Sequence, residues 1–392
     1  MNWMEKELER LSGQSLERFV HASEPARGFP GYLIRGDRRL LNLSSNDYLG
    51  LSGNREVVEA MRLALEREEA GSGASRLVTG SRQANERLEQ ALAAWQQSEA
   101  ALVFANGYMA NVGVISALAG RGDVIFSDRL NHASIVDGIR LSRAEHVRYR
   151  HNDPEHLNDL LQKHRHARRK WMITDSVFSM DGDKALLHEL VELKKEHGAL
   201  LMVDEAHSGG IYGHRGEGLA NQLGLHKEVD VHMGTFSKAF GVYGAYVSGS
   251  STLIRWLINK TRSLIYSTAL PPAVIAGVEK ALTIVQEEKW RRDKLAASIQ
   301  VFRSALAEAG FTVGRSDSPI IPVIVGDNES ALRFSSILED FGILAAAIRP
   351  PTVPEGTARL RFSLSVAHAE SELLHAADRI RQAGMYAGVL KE

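Results

Sequence analysis

The stretch GTFSKAFG, residues 234–241, decides the fold class of this chain. It places Lys238 in a short loop, bounded by glycines, that directly follows an apolar run. Upstream, Asp204 ends the apolar run ALLMV of residues 199–203, and His207 follows Asp204 by three positions. In parallel sheets built from such runs, ligands bind beyond the carboxyl ends of the strands, where Asp204 and Thr235 both fall. The sequence therefore predicts a binding site with an amine, a carboxylate and an imidazole.

These three side chains match the needs of pyridoxal phosphate. The Lys238 amine can form an imine with the cofactor, and the Asp204 carboxylate can keep the pyridine nitrogen protonated so that the ring accepts electrons. His207 is then placed to hydrogen-bond the phenolic oxygen. Each residue alone has a simpler interpretation, since a strand-end aspartate can cap a helix and lysines are common in loops. Their order and context together favour the cofactor site.

Short apolar runs alternate with helical patterns between residues 100 and 250. The pattern predicts strands at residues 100–104, 123–127, 146–149, 171–174, 200–204, 231–234 and 245–248. Helical patterns lie between the earlier runs, for example at residues 107–119 and 154–163. Strands that are apolar throughout and separated by helices are typical of a parallel sheet covered on both faces. We therefore predict an α/β fold with a mainly parallel, seven-stranded sheet.

The pattern changes after residue 270. A long helical stretch runs through the charged residues 287–294 toward Gly310, and short strands follow at residues 320–325 and 360–364, with a helix between them and a helical tail. We predict an N-terminal helical segment at residues 1–45, a large cofactor-binding domain at 46–288 and a smaller α+β domain at 289–392. The charged start of the chain indicates an amphipathic helix that packs on the body of the protein or on a partner subunit.

Composition excludes several classes of protein. The 392 residues contain 47 Lys and Arg against 48 Asp and Glu, so the net charge is −1. This balance argues against a nucleic-acid or membrane-surface partner, whose contacts need surplus positive charge. The chain has no cysteine, its 15 histidines show no metal-ligand spacing, and no apolar run reaches the roughly 18 residues of a spanning helix. We expect a cytoplasmic protein without a metal or a disulfide.

Three further positions can contribute to a binding site. Gly107 and Tyr108 open a helix after a strand, so their amides can hold a phosphate, although a plain strand–turn–helix junction has the same pattern. His132 also begins a helix and can stack on a flat ring or lie in solvent. Arg349 lies in a proline-rich turn, where its guanidinium can bind a carboxylate or remain an ordinary surface group.

Taken together, the motifs resemble those of the α-oxoamine synthases, pyridoxal phosphate enzymes of the aspartate aminotransferase fold (fold type I). The resemblance covers nearly the whole chain. The matching motifs are LSSNDYLGL at 43–51, GSGASRLVTG at 71–80, NHAS at 131–134, VFSMDGD at 177–183, VDEAH at 203–207, TFSK at 235–238 and YST at 266–268.

The resemblance implies a role for individual residues. Lys238 is expected to bind the cofactor covalently, Asp204 to pair with the pyridinium, His207 to contact the phenolic oxygen and His132 to stack on the ring. The remaining cofactor contacts that it implies are the amides of Gly107 and Tyr108 with Thr235 at the phosphate, Ser179 beside the cofactor, and Ser267 and Thr268 at the phosphate of the neighbouring subunit. It therefore implies a homodimer with shared active sites.

Residues 347–361, AIRPPTVPEGTARLR, resemble the biotin-pathway branch of this family. That resemblance implies condensation of L-alanine with a pimeloyl thioester, with Arg349 and Thr352 in the substrate pocket. An N-terminal arginine is also associated with substrate; Arg18 fits best by spacing, and Arg27 is the alternative. The alternatives are a relative that uses glycine with a shorter thioester, an aminotransferase, and a cofactor-binding regulator. The last needs a DNA-binding module, for which the first 40 residues are too short and not basic enough.

Overall fold

The computed structural model describes residues 1–314 and 317–390. The helices of this part of the chain are α1 Asn2–Gly13, α2 Arg55–Arg67, α3 Gln83–Gln96, α4 Gly107–Leu118, α5 Ala133–Ser142, α6 Pro154–Lys163, α7 Leu187–His197, α8 Leu219–Gln222, α9 Ser251–Lys260, α10 Arg262–Ile265, α11 Pro272–Glu287, α12 Lys289–Glu308, α13 Asn328–Asp340 and α14 Glu370–Tyr386. Its strands are β1 Glu24–Pro25, β2 Tyr32–Arg35, β3 Arg38–Asn42, β4 Ala100–Phe104, β5 Val124–Asp128, β6 Glu145–Tyr149, β7 Lys170–Asp175, β8 Leu200–Asp204, β9 Val231–Thr235, β10 Ala245–Gly249, β11 Ile320–Gly326, β12 Ile343–Leu344, β13 Ala346–Ile348 and β14 Ala358–Ser363.

The chain divides into two units. The larger unit contains residues 51–178 and 184–292, and the smaller unit contains residues 1–50, 179–183 and 293–392. The division predicted from the sequence treated residues 1–45 as a separate segment and placed its other boundary at 288/289. That three-part division remains a prediction.

A seven-stranded sheet forms the centre of the larger unit, in the order β4-β10-β9-β8-β7-β5-β6. Its β10 pairs antiparallel with both β4 and β9, whereas the pairs β9/β8, β8/β7, β7/β5 and β5/β6 are parallel. The predicted mainly parallel, seven-stranded sheet is therefore confirmed. Each strand predicted for this sheet begins and ends within one residue of the observed strand.

Both faces of this sheet are buried, which explains why its strands are apolar nearly throughout. On one face, Ile125, Ile173 and Met202 pack with side chains of α4, α5 and α9. On the other face, Phe126, Met172 and other strand residues pack with side chains of α6 and α7. The helices leave only the strand ends open to a ligand.

The smaller unit contains two sheets. Strands β11, β14 and β13 form an antiparallel sheet, with α13 between β11 and β12 along the chain and α14 at its end. A second sheet has the order β1-β2-β3-β12, in which β12 pairs parallel with β3. The N-terminal and C-terminal parts of the chain thus share one sheet.

Two local predictions were wrong. The N-terminal segment is helical only through Gly13, and residues 24–42 form β1, β2 and β3, which complete their hydrogen bonding by pairing with one another and with β12. The long helix expected through residues 287–294 is interrupted at Glu288. There the Glu288 carboxylate accepts a hydrogen bond from Arg291 Nε at 2.7 Å and its carbonyl accepts one from the Arg291 amide at 3.1 Å. Glu288 thus satisfies donors in the first turn of α12.

A buried histidine in the smaller unit makes the fold sensitive to acid. His368 is 1% exposed, its Nδ1 accepts a hydrogen bond from the Ser365 amide at 3.2 Å, and its Nε2 lies 3.1 Å from the Asn42 carbonyl oxygen. Burial lowers the pKa of His368 to about 4. The neutral form is therefore the one that the folded protein accommodates.

Because of this residue, we expect the free energy of unfolding to decrease as the pH is lowered. The folded pKa lies below the unfolded value near 6.5, so the unfolded state binds the proton first and the stabilisation present above pH 6.5 is lost toward pH 4. Between pH 7 and pH 5 this loss amounts to about 2 kcal/mol. Denaturant titrations of the wild type and of His368→Gln measure it, with the exposed His375→Gln as control. Equal pH dependence in the wild type and His368→Gln would contradict the assignment.

Candidate active site

The loop that carries Lys238 is fixed by buried aromatic rings. Phe236 and Phe240 flank the lysine, are fully buried, and meet edge to face with ring centroids 5.5 Å apart. The Lys238 carbonyl accepts a hydrogen bond from the Gly241 amide at 2.9 Å. Gly241 has φ +65, and a side chain there would collide with the backbone at Ser52. The half-buried lysine therefore projects from a loop whose backbone cannot shift easily.

Asp204 lies at the carboxyl end of β8 and is 3% exposed. Its Oδ2 accepts a hydrogen bond from Asn111 Nδ2 at 2.7 Å, and its Oδ1 accepts one from the Ala206 amide at 2.9 Å. The predicted strand-end carboxylate is thus present, buried and held by two donors.

A second buried carboxylate stands beside the first. Asp175 ends β7 and pairs in register with Asp204, and it is 4% exposed. Burial, followed by the negative charge of Asp204, raises the pKa of Asp175 well above its ordinary value, while Lys238 acts in the opposite direction. Two adjacent carboxyl groups in a buried environment need positive charge close to them. A protonated pyridine supplies such a charge, so the donor set fits the cofactor.

His132 is the N-cap of α5, and its ring is oriented by that helix. Its Nδ1 lies 2.7 Å from Ser134 Oγ and accepts from the Ser134 amide at 3.3 Å, while the His132 amide donates to Asp175 Oδ2 at 2.7 Å. Part of His132 is open to solvent, as a ring that stacks on a ligand must be. Its surroundings are nevertheless dense enough that burial lowers the pKa of His132. The charge of Asp204 opposes this effect, and the charge of Lys238 adds to it.

His207 follows β8 in a turn and is 5% exposed. It is buried, as a cofactor contact on the inner side of a site would be, and its contact with a phenolic oxygen stays a prediction. Its neighbour Glu205, also buried, has a structural role. The Glu205 carboxylate accepts the amides of Leu219 at 2.7 Å and Ala220 at 2.9 Å and so anchors α8.

The predicted phosphate site lies at the start of α4. Asn106 caps this helix by accepting the Met109 amide at 2.9 Å, and among the described residues no protein acceptor faces the amides of Gly107 and Tyr108. A side chain at Gly107 would lie 3.8 Å from Thr235 Oγ1, so the threonine is adjacent to the helix start. Unpaired amides, a helix dipole and a hydroxyl are the groups that bind a phosphate.

Thr268 forms an isolated antiparallel β-bridge with Ser75, and Ser267 lies in the bend that precedes it. Thr268 is exposed, and the adjacent Tyr266 is 72% exposed. An exposed position is what a residue needs if it is to reach a neighbouring subunit. That role stays a prediction.

In the smaller unit, the predicted substrate residues lie together. Arg349 is 9% exposed and donates from Nη1 to the Ser15 carbonyl and from Nη2 to the Glu17 carbonyl at 3.3 Å. Arg18 Nη2 lies 3.3 Å from Thr352 Oγ1 and 3.4 Å from the carbonyl oxygen of residue 350. Burial, followed by the charge of Arg18, lowers the pKa of Arg349. The alternative residue Arg27 is exposed.

Arg361 is a buried cation that sequence analysis did not assign. It is 6% exposed and donates to the Ser179 carbonyl at 2.6 Å, to Ser363 Oγ at 2.6 Å and to Asn46 Oδ1 at 3.1 Å. Among the described residues, no carboxylate forms an ion pair with it, whereas the neighbouring Arg359 pairs with Asp181. A buried guanidinium held by neutral groups suits an anionic ligand. The signal in the sequence was the pair of arginines around Leu360 in a strand that is otherwise buried.

Asn111 and Asp175 were also missed. Asn111 lies in the second turn of α4, whereas the prediction from the sequence covered only the backbone amides of Gly107 and Tyr108. Asp175 ends an apolar run as Asp204 does, and this shared position was the available signal. Among the described residues, no group of acidic or histidine side chains could hold a metal ion, and no helix combines the length and apolar character needed to cross a membrane.

Comparison with known proteins places this site in a family. The model of the family described as Aminotransferase class I and II matches residues 38–380. A protein of Geobacillus kaustophilus (strain HTA426), named "Putative 8-amino-7-oxononanoate synthase", is 54% identical over 359 residues, 91% of this chain and 92% of the relative. A protein of Halalkalibacterium halodurans with the same name is 50% identical over 371 residues, 94% of this chain and 93% of the relative.

Comparison with solved structures indicates the same family. Serine palmitoyltransferase from S. paucimobilis with a bound PLP–myriocin aldimine has a TM-score of 0.93 at 31% identity and covers 99% of this chain and 98% of its own. 8-Amino-7-oxononanoate synthase from Francisella tularensis has a TM-score of 0.77 at 28% identity and covers 88% and 98%. The chain therefore belongs to the class I and II aminotransferase family, as a fold type I enzyme of its α-oxoamine synthase branch. Its cofactor is pyridoxal phosphate.

Proposed function

We propose that this enzyme condenses L-alanine with a pimeloyl thioester to give 8-amino-7-oxononanoate, CO2 and the free thiol, a step of biotin biosynthesis. The observation that carries the proposal is the buried Asp204 beside the Lys238 loop, in a chain 54% identical to a relative named for this product. Its other support is segment 347–361, whose buried Arg349 can recognise a carboxylate.

The cofactor, when bound, supplies a ring that withdraws electrons from the amino-acid Cα. Asp204 would hold the pyridine nitrogen of the cofactor and would stabilise the positive charge there. The Lys238 amine would hold the cofactor and would also accept the proton of the alanine Cα as general base. His132 donates a hydrogen bond to the reacting carboxylate or to the acyl oxygen. The carbon–carbon bond to the thioester carbonyl forms as the carbon–sulfur bond breaks, and the departing thiolate takes a proton from solvent. The alanine carboxylate then departs as CO2, and the proton held by Lys238 returns to the same carbon.

The carboxylates of the substrates need cations. We assign Arg361 to the amino-acid carboxylate, because it is a buried guanidinium whose hydrogen-bond partners in the protein are neutral. To the pimeloyl donor we assign Arg349, Thr352 and one N-terminal arginine. The end of this donor that is remote from the thioester carries the second carboxylate when it is a free acid. Guanidinium groups suit such planar recognition.

The test of the proposal is product analysis. Purified protein is mixed with pyridoxal phosphate, L-alanine and pimeloyl-CoA or the pimeloyl acyl-carrier protein, and the product is identified by mass. We expect 8-amino-7-oxononanoate with one CO2 released per thiol. A product formed only from glycine and acetyl-CoA would assign another condensing reaction of the family, and amino-group exchange with a 2-oxo acid without CO2 would assign an aminotransferase.

The enzyme is further proposed to act as a homodimer in the cytoplasm, with Ser267 and Thr268 completing the site of the partner. A subunit with Lys238→Ala and a subunit with Ser267→Ala and Thr268→Ala are each expected to be weak or inactive alone. Mixed and refolded together, they should regain activity, because one site of the hybrid then has both an intact lysine and intact hydroxyls. Recovery no greater than in the unmixed samples would contradict shared sites.

The two candidate N-terminal arginines can be separated by substitution. Arg18→Ala is expected to raise KM for the thioester about tenfold with a smaller change in kcat, because Arg18 contacts Thr352. Arg27→Ala, an exposed arginine of the same segment, serves as the matched control and should leave KM unchanged. Arg349→Lys keeps the charge but loses the planar fork and should also raise KM. The reverse order of effects for Arg18 and Arg27 would assign Arg27.

A further inference from the structure

Asn111 is a buried polar residue to which the reaction above gives no role. It lies in the second turn of α4 and is 1% exposed. Gly138 lets α5 approach here, since a side chain at that position would come within 2.9 Å of the Asn111 carbonyl oxygen. Asn111 Nδ2 lies 2.7 Å from Asp204 Oδ2 and 2.9 Å from Ser134 Oγ. One amide group therefore joins the carboxylate of β8 to the start of α5.

The orientation of this amide follows from its partners. The Asp204 carboxylate can only accept hydrogen bonds when ionised, so the Asn111 atom that faces it is the nitrogen, because an oxygen there would be repelled. The nitrogen carries two hydrogens, and each has an acceptor. Asn111 Oδ1 is buried without a partner in the described part of the chain, so the amide acts here as a donor alone.

The direction of the next hydrogen bond is then determined. Ser134 Oγ accepts from Asn111, so its own hydrogen is free for its other neighbour, His132 Nδ1, at 2.7 Å. The Ser134 amide points to the same ring nitrogen at 3.3 Å. Two donors on one nitrogen require a lone pair there, so a neutral His132 carries its hydrogen on Nε2.

We propose that Asn111 is a positioning residue that fixes His132 as the Nε2–H tautomer and holds the Asp204 carboxylate in its orientation. It does so through a hydrogen-bond chain that runs from Asn111 through Ser134 to His132. With the hydrogen on Nε2, His132 offers a donor to a carbonyl or carboxylate oxygen, whereas the other tautomer would offer a lone pair. One side chain thereby sets the tautomer of His132 and the orientation of the Asp204 carboxylate.

The charged groups around His132 are compatible with a neutral ring. Burial and Lys238 lower the pKa of His132, whereas Asp204 and Asp137 raise it. Asp175 accepts the His132 backbone amide and not its ring. The inference rests on the cofactor site and not on the identity of the substrates, so product analysis and the experiment below can fail independently.

The test is nitrogen NMR of the full-length holoenzyme labelled with ¹⁵N-histidine, with the His132 signals assigned by their loss in His132→Gln. We expect the Nε2–H tautomer in the wild type and a mixture of tautomers in Asn111→Leu. In the same variant, the dissociation constant for pyridoxal phosphate should rise about tenfold or more, since a hydrogen bond to a charged group is lost. A wild type with the hydrogen on Nδ1 overturns the proposal without any variant.

Two further variants separate positioning from a general loss of stability. Ser134→Ala removes one oxygen, so it should change the His132 tautomer while leaving the cofactor affinity near that of the wild type, and it serves if Asn111→Leu does not fold. Asn85→Leu is the matched control, because Asn85 is equally buried at 1% and accepts the Arg82 amide at 2.9 Å outside the hydrogen-bond chain. Equal losses of affinity in Asn85→Leu and Asn111→Leu, or an unchanged tautomer in both Asn111→Leu and Ser134→Ala, would overturn the proposal.

Discussion

Replacing Lys238 with alanine is expected to lower kcat by about 10⁴-fold or more, since general base catalysis alone contributes 10²–10⁴ and the covalent attachment of the cofactor is lost as well. The fold should survive, because the loop is anchored by the buried Phe236 and Phe240 rings and not by the lysine. Pyridoxal phosphate should still bind without a covalent bond, through the phosphate and pyridinium contacts. Steady-state rates on the purified variant measure the effect.

The positive charge of Lys238 also influences its neighbours, so charge and nucleophile must be separated. Lys238 lowers the pKa of both Asp175 and His132. Lys238→Arg keeps the charge but cannot form an imine or accept a proton, so it should be as inactive as Lys238→Ala. Borohydride treatment of the wild type followed by peptide mapping should label residue 238. A normal rate in either variant, or a label elsewhere, would refute the assignment.

Asp204→Asn is expected to lower kcat about 10²- to 10³-fold, the usual cost of removing one preorganised charged partner. The substitution keeps the size of the side chain, so the hydrogen bond with Asn111 can be retained if the new amide presents its oxygen. What is lost is the negative charge that we propose to stabilise the protonated pyridine nitrogen. Kinetics and the pH dependence of the visible absorbance of the bound cofactor both report this loss.

The adjacent carboxylate provides the control for that experiment. Burial and the charge of Asp204 raise the pKa of Asp175, so Asp175→Asn should remove less negative charge than Asp204→Asn does. It should reduce kcat much less than Asp204→Asn does, even though both residues are buried and paired in register. Equal effects of the two substitutions would mean that buried hydrogen bonding, and not the charge at Asp204, is what matters.

Much of the larger unit could be predicted because its signals are local. An apolar run such as residues 200–204 is long enough for a strand and too short for a helix, and glycines and polar residues mark its ends. The N-terminal strands β1 to β3 gave no such signal. They are short and exposed in part, and they are completed by β12, some 300 positions later in the chain. Non-local pairing of this kind leaves little pattern in the sequence.

The sequence by itself determined which groups stand at the strand ends, and so it predicts a cofactor site that contains Lys238, Asp204 and His132. Only the tertiary structure decided what surrounds them. Sheet order brings Asp175 beside Asp204, and the packing of α4 on α5 brings Asn111 into contact with both Asp204 and Ser134. The reason is physical: strand and helix formation depend on neighbours along the chain, whereas the protonation state of a buried group depends on neighbours in space.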